Sequence, residues 1–90
     1  MNESEYQEAF QQIVADPALT DLEKLVQTFD LTTRHFMDHH RHEAELARTL
    51  GDKETAVRAD IMAGMLKTSR GMFSHCYLRI TGQREKLWDE

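Results

Sequence analysis

Histidine gives this chain its clearest capacity for chemistry, because four of the five histidines lie within residues 34–45. His35 and His39 are four residues apart, and so are His39 and Glu43. On a helix this spacing stacks side chains about 6 Å apart on one face. Two imidazoles placed in this way can bind one Zn, Ni or Fe ion at about 2.0–2.2 Å. His42 adds a third nitrogen one turn beyond His39, so the sequence predicts His35, His39, His42 and Glu43 as candidate metal ligands.

Three interpretations of this histidine flank stay open at the level of sequence. The flank is a solvated helix surface, a pH-sensitive or partner-contacting patch, or a site for a divalent transition metal. As a metal site it is incomplete, because an antiparallel hairpin places Gly64 opposite His39 and Thr68 opposite His35. A second chain or a water molecule would have to supply the remaining ligands.

His40 and Cys76 are expected in the core rather than in a site. His40 projects into the apolar stripe of its helix, so we expect a half-buried ring hydrogen-bonded to Thr33 or across a dimer. Cys76 projects into the apolar stripe of the third helix, which favours an inert thiol. The sequence contains no readable nucleophile–base set, phosphate-binding glycine loop or metalloprotease motif, so an enzyme is not expected.

The elements that carry these residues are predicted to be helices. The chain is 40% hydrophobic and 30% charged with a single proline, and no alternating apolar pattern persists. Thr20 and Glu23 form a capping box, and Gly51 and Gly82 suit the left-handed positions that close helices. These signals predict one all-α domain over 1–90, with helices at about 4–15, 21–50 and 53–81 and a tail at 83–90.

The two long helices are joined by about two residues, so they must form an antiparallel hairpin with the short first helix beside it. One face of the second helix carries Leu22, Leu25, Val26, Phe29, Phe36, Ala44 and Ala47. The third helix carries a broader stripe of Val57, Ile61, Met62, Met65, Met72, Phe73, Cys76 and Ile80. Because one partner helix cannot cover that stripe, we expect a homodimer with a four-helix core.

The charge distribution argues against a nucleic-acid surface. The net charge is −5, and the candidate nucleic-acid contacts of the last helix and tail, Lys67, Arg70, Arg79 and Arg84, are dispersed. One cysteine fits a reducing compartment, and neither a signal peptide nor a membrane-length apolar stretch is readable. A cytoplasmic location is therefore expected.

These observations favour a small helical protein–protein interaction or regulatory module that acts as a homodimer, with another protein as a further candidate partner. The alternative is a metal-binding helical bundle that uses the histidine flank. No cofactor other than such a divalent metal is expected, and neither nucleic acid nor a membrane is an expected partner.

Overall fold

A computed structural model describes residues 1–83 and 87–88 and confirms the all-α prediction. The elements are α1 (Glu3–Ala15), α2 (Asp21–Thr49) and α3 (Lys53–Thr81), and the described residues contain no strand. None of the helices in this part of the chain combines the length and the apolar character needed to cross a membrane.

Local sequence signals set the helix ends. Asn2 caps α1 and Thr20 caps α2, each in a capping box completed by a glutamate three residues later. Asp52 caps α3 by accepting from the backbone N–H of Thr55 at 3.1 Å. Gly51 and Gly82 have φ values of 74° and 73°, which glycine adopts without steric cost, and they follow α2 and α3 respectively.

The helices α2 and α3 form the predicted antiparallel hairpin, and α1 packs on α2 alone. The rings of Phe29 and Phe73 stack across the hairpin with centroids 4.4 Å apart. Nearer the turn, Arg48 of α2 pairs with Asp60 of α3. In the described part of the chain α1 makes no packing contact with α3, so α2 is the central helix of the three.

The seam between α2 and α3 is built from small side chains. Its buried apolar residues are mostly alanines: Ala44, Ala47, Ala56, Ala59 and Ala63. Small residues let helix backbones approach closely, but each buries little apolar area. The expectation that the broad aliphatic stripe of α3 faces α2 is wrong for most of its members, because the alanine face of α3 occupies that position instead.

Arg70 is the largest fully buried side chain among the described residues, with 1% of its surface exposed. It donates to the Asp30 carboxylate at 2.8 Å, to the Asp30 carbonyl at 3.1 Å and to the Thr33 hydroxyl at 2.6 Å. Thr33 in turn donates to the Phe29 carbonyl at 2.7 Å. A buried charge needs such a set of partners, so Arg70 is a structural residue of the hairpin.

The described part of the tail returns to the hairpin after Gly82. Trp88 stacks on Phe29 and Phe73 with centroids 6.0 and 5.6 Å away. The Arg70 guanidinium carbon lies 4.6 Å from the Trp88 ring centroid, a cation–π distance. The chain therefore folds back onto the hairpin at Trp88.

Asp30→Asn tests whether the Arg70 network holds the hairpin together. We expect a decrease of about 1–2 kcal/mol in the free energy of unfolding, since Arg70 loses its countercharge while Asp30 itself is partly solvated. Asp38→Asn is the matched control on the same helix, because Asp38 is exposed and its ion pair with Arg41 is long, at 3.9 Å. Urea denaturation at one protein concentration measures the free energy of unfolding of both variants. Equal free energies for the two variants would contradict the role of Arg70.

Candidate functional site

The structure assigns His35 to the contact between α1 and α2. Its ring stacks on Tyr6 with centroids 4.3 Å apart and an interplanar angle of 4°. Its Nε2 atom lies 3.1 Å from a carboxylate oxygen of Glu3, and only 10% of the side chain is exposed. Tyr6 is also anchored by a 2.8 Å hydrogen bond between its hydroxyl and that of Thr32. His35 is thus a packing residue for α1 in this arrangement.

The other three predicted ligands are exposed and are not gathered with His35 into one site. His39, His42 and Glu43 all lie on the solvent-accessible surface of α2. Among residues 1–83 and 87–88, no group of three or more His, Cys, Asp or Glu side chains is arranged to hold a metal ion.

His40 is half-buried, as expected, but its predicted partner Thr33 bonds to Arg70 and Phe29 instead. The side chain of His40 is 19% exposed. Its Nδ1 atom is buried and has no hydrogen-bond partner, the one such side-chain atom in the described part of the chain. The nearest carboxylate oxygen is that of Glu43, 3.9 Å away, which is beyond hydrogen-bonding distance.

Large apolar side chains are exposed along both α2 and α3, and we call this set the apolar face. It comprises exposed large side chains of α2 and α3 that are 40–83% accessible: Leu22, Leu25, Phe36, Val57, Ile61, Met62, Met65, Met72 and Ile80. The sequence placed Leu22, Leu25 and Phe36 on the apolar side of α2 and the others on the broad stripe of α3, and the single chain leaves all of them accessible. The sequence signal that could have identified them is a second side of α3, formed by Ala56, Ala59 and Ala63. This side packs against α2 and leaves the larger side chains exposed.

Cys76 lies on the wall of a groove of about 140 Å³ between the start of α2 and the end of α3. Leu25, Phe73, Tyr77 and Ile80 are among the residues that line the groove with it. The thiol is exposed, so the prediction of a core cysteine is wrong for the single chain. The groove adjoins the apolar face and extends it toward the end of α3.

The basic residues do not form a patch in the described structure. Arg70 is buried in the hairpin, while Lys67 and Arg79 are exposed at separate positions on α3. Arg84, the fourth residue considered for nucleic-acid binding, lies outside the described residues. Burial of Arg70 takes the central cation out of any such surface.

Comparisons of the chain with protein-family models, with curated proteins and with solved structures found no match.

His35→Ala is expected to loosen α1 from α2. The loss of the Tyr6 stack and of the Glu3 contact should lower the free energy of unfolding by about 1 kcal/mol. His42→Ala, an exposed histidine on the same helix, should change it by less than about 0.5 kcal/mol. Amide hydrogen exchange of α1 provides the measurement, and equal protection of α1 in both variants would contradict the assignment.

The pKa of Glu3 provides a test of the hydrogen bonds that its carboxylate accepts. Hydrogen bonds from the Gln7 amide and from the His35 ring lower the pKa of Glu3 below its ordinary value. A lowered folded-state pKa means that the contribution to stability is complete above the ordinary value and is lost as the pH falls through the folded-state pKa. In a carboxyl NMR titration, Gln7→Ala should raise the pKa of Glu3, while Gln11→Ala should leave it unchanged. A pKa that both variants leave in place would contradict this account.

Proposed function

We propose that this protein acts by binding other protein chains, first of all a second copy of itself through the apolar face. The supporting observation is an inverted distribution of side chains. Five alanines and Met37 are the buried apolar residues of α2 and α3, while larger side chains such as those of Ile61 and Met65 are exposed. Burying one such large side chain contributes about 1.5–3 kcal/mol. The chain therefore leaves its strongest source of hydrophobic stabilisation for an intermolecular contact.

The dimensions of the chain support the same proposal. Its radius of gyration is 15.5 Å, whereas a compact domain of this length has roughly 12 Å. Its accessible surface is 6668 Å², whereas a compact monomer of this mass has about 5,400 Å². The difference of about 1,200 Å² exceeds the roughly 800 Å² that each partner buries in a standard interface. This excess surface is large enough for an interface with one additional chain.

The two sides of the helix layer differ in composition. The side of α2 turned away from the apolar face carries exposed polar residues: Gln27, Arg34, Asp38, Arg41 and Glu45. Large exposed apolar patches commonly mark protein–protein interaction sites. A dimer closed through the apolar face buries one side and presents the other to water or to a regulated partner protein. A cytoplasmic location remains part of the proposal, supported by the single cysteine.

Met65→Lys tests the proposal by sedimentation equilibrium. Met65 is exposed in the single chain, so the variant should keep its helical circular dichroism while its dimer dissociation constant rises about 10- to 100-fold. The substitution also reduces the net negative charge, so increased repulsion between copies cannot explain dissociation.

Gln27→Lys is the matched control, because it makes the same charge change at an exposed position on the polar side of α2. It should leave the dimer intact. Wild-type protein that stays monomeric at about 100 μM, or equal dissociation of both variants, would contradict a homodimer through the apolar face.

A further inference from the structure

One side of α3 is uncovered along the whole helix. Ala56, Ala59 and Ala63 pack toward α2, and α1 makes no packing contact with α3 in the described part of the chain. The side that projects about 180° from these alanines is the outer side of α3. Its residues are all exposed in the single chain: Glu54, Arg58, Ile61, Met65, Thr68, Met72, His75 and Arg79.

The spacing on the outer side of α3 is that of a seam between two helices. Its residues follow one another at alternating intervals of four and three, the heptad pattern by which helices pack side by side. The four central positions carry Ile61, Met65, Thr68 and Met72, and the charged residues stand toward the two ends. A second helix on this side would therefore bury an apolar centre between charged ends.

Charge selects the orientation of a second α3. Two parallel copies would place each Glu54 beside its counterpart, and each Arg79 likewise, and like charges brought together in an interface are costly. An antiparallel pair instead places Glu54 of each copy opposite Arg79 of the other. Arg58 then lies opposite the His75 ring, which can accept a hydrogen bond from it. Opposite charges thus meet at both ends of an antiparallel pair.

The pairing of Glu54 with Arg79 also fixes the register. In this register Ile61 lies opposite Met72, and positions 65 and 68 lie opposite each other. A shift of one heptad in one direction would set Arg79 against Ile61. The same shift in the other direction would set Glu54 against Met72. The two-fold axis therefore passes between positions 65 and 68, close to the middle of α3 (Lys53–Thr81).

Two glycines on one edge of the outer side support close contact at this axis. A Cβ atom at Gly64 or Gly71 would meet nothing within 4 Å in the single chain. Glycine inside a helix is destabilising relative to alanine, and the packing within one chain gives no reason for it here. In the antiparallel register Gly64 of each copy lies beside Gly71 of the other, where missing side chains let the two backbones approach closely.

The centre of the seam offers space for a side chain of the second copy. It is a shallow depression lined by Ile61, Gly64, Met65, Thr68 and Ser69. Met65 of the second copy lies opposite Thr68 in this register, so a large side chain meets a small one. Such pairing of large with small side chains is what close packing requires.

We propose that two copies associate through the outer sides of α3, packed antiparallel, with Glu54 of each copy paired with Arg79 of the other. This inference rests on the proposed homodimer and names the helix, the orientation and the register through which it forms. The members of the apolar face that belong to α2 lie outside this contact.

Exchange of the end charges tests the orientation by sedimentation equilibrium of the full chain. Glu54→Arg and Arg79→Glu should each raise the dimer dissociation constant about tenfold or more, because each sets like charges together at both ends. The double variant should return to within about threefold of the wild-type value, since the attraction is restored with its signs exchanged. Arg41→Glu is the matched control on the polar side of α2 and should leave the dimer intact.

Spin labels on the native Cys76 measure the same orientation independently. Cys76 is exposed and is the only cysteine of the chain. Position 76 lies opposite position 57 of the second copy, so the two labels are about nineteen residues apart along the helices and should be separated by about 30 Å. A label introduced by Ser69→Cys in a Cys76→Ala background lies near the axis, and its pair should approach to within about 15 Å.

The outcomes separate this inference from the proposed function. Dimers whose Cys76 labels are in near contact, or whose affinity neither single charge variant changes, support a homodimer and overturn the antiparallel α3 pair. If the double charge variant does not fold, the two label distances decide. Protein that stays monomeric at about 100 μM overturns both proposals.

Discussion

The buried Arg70 network is the interaction on which the hairpin depends. The turn at Gly51 fixes one end of the α2–α3 pair, and Arg70 fixes the register about 28 Å away, nineteen residues along α3. An alanine seam alone specifies register weakly, because alanines are nearly interchangeable along a helix. Arg70 finds both Asp30 and Thr33 in one register only, since a shift would leave a guanidinium buried without its partners. This network therefore supplies specificity that the small side chains cannot.

The alanine seam has a consequence for the outside of the molecule. Ala56, Ala59 and Ala63 occupy the side of α3 that faces α2, so Val57, Ile61 and Met65 project away from α2. α3 is thus apolar on two sides, a small-residue side used within the chain and a large-residue side left over. Internal hydrophobic stabilisation is low and potential intermolecular stabilisation is high. The fold and the proposed association have the same physical origin.

Local features of this fold were predictable from sequence, while the choice of contact faces was not. The capping box at Thr20 and the left-handed Gly51 and Gly82 depend on contacts within a few residues, and the structure confirms them. The face that α3 presents to α2 depends on competition between two apolar stripes, and hydrophobicity alone favours the wrong one. Arg70 was the available signal, because a charge that projects onto the alanine face requires a buried partner.

The histidine run shows why spacing alone misjudged the candidate site. Successive residues on α2 turn by about 100°, so neighbouring histidines face different surroundings even within twelve residues. His35 is taken up by Tyr6 and Glu3, contacts that follow from where α1 lies and that no local pattern encodes. His40 instead reaches the border of the apolar face with its Nδ1 unpartnered. A run of one residue type on a helix is therefore divided by what packs against that helix, and only the members that share an unoccupied side can share a ligand.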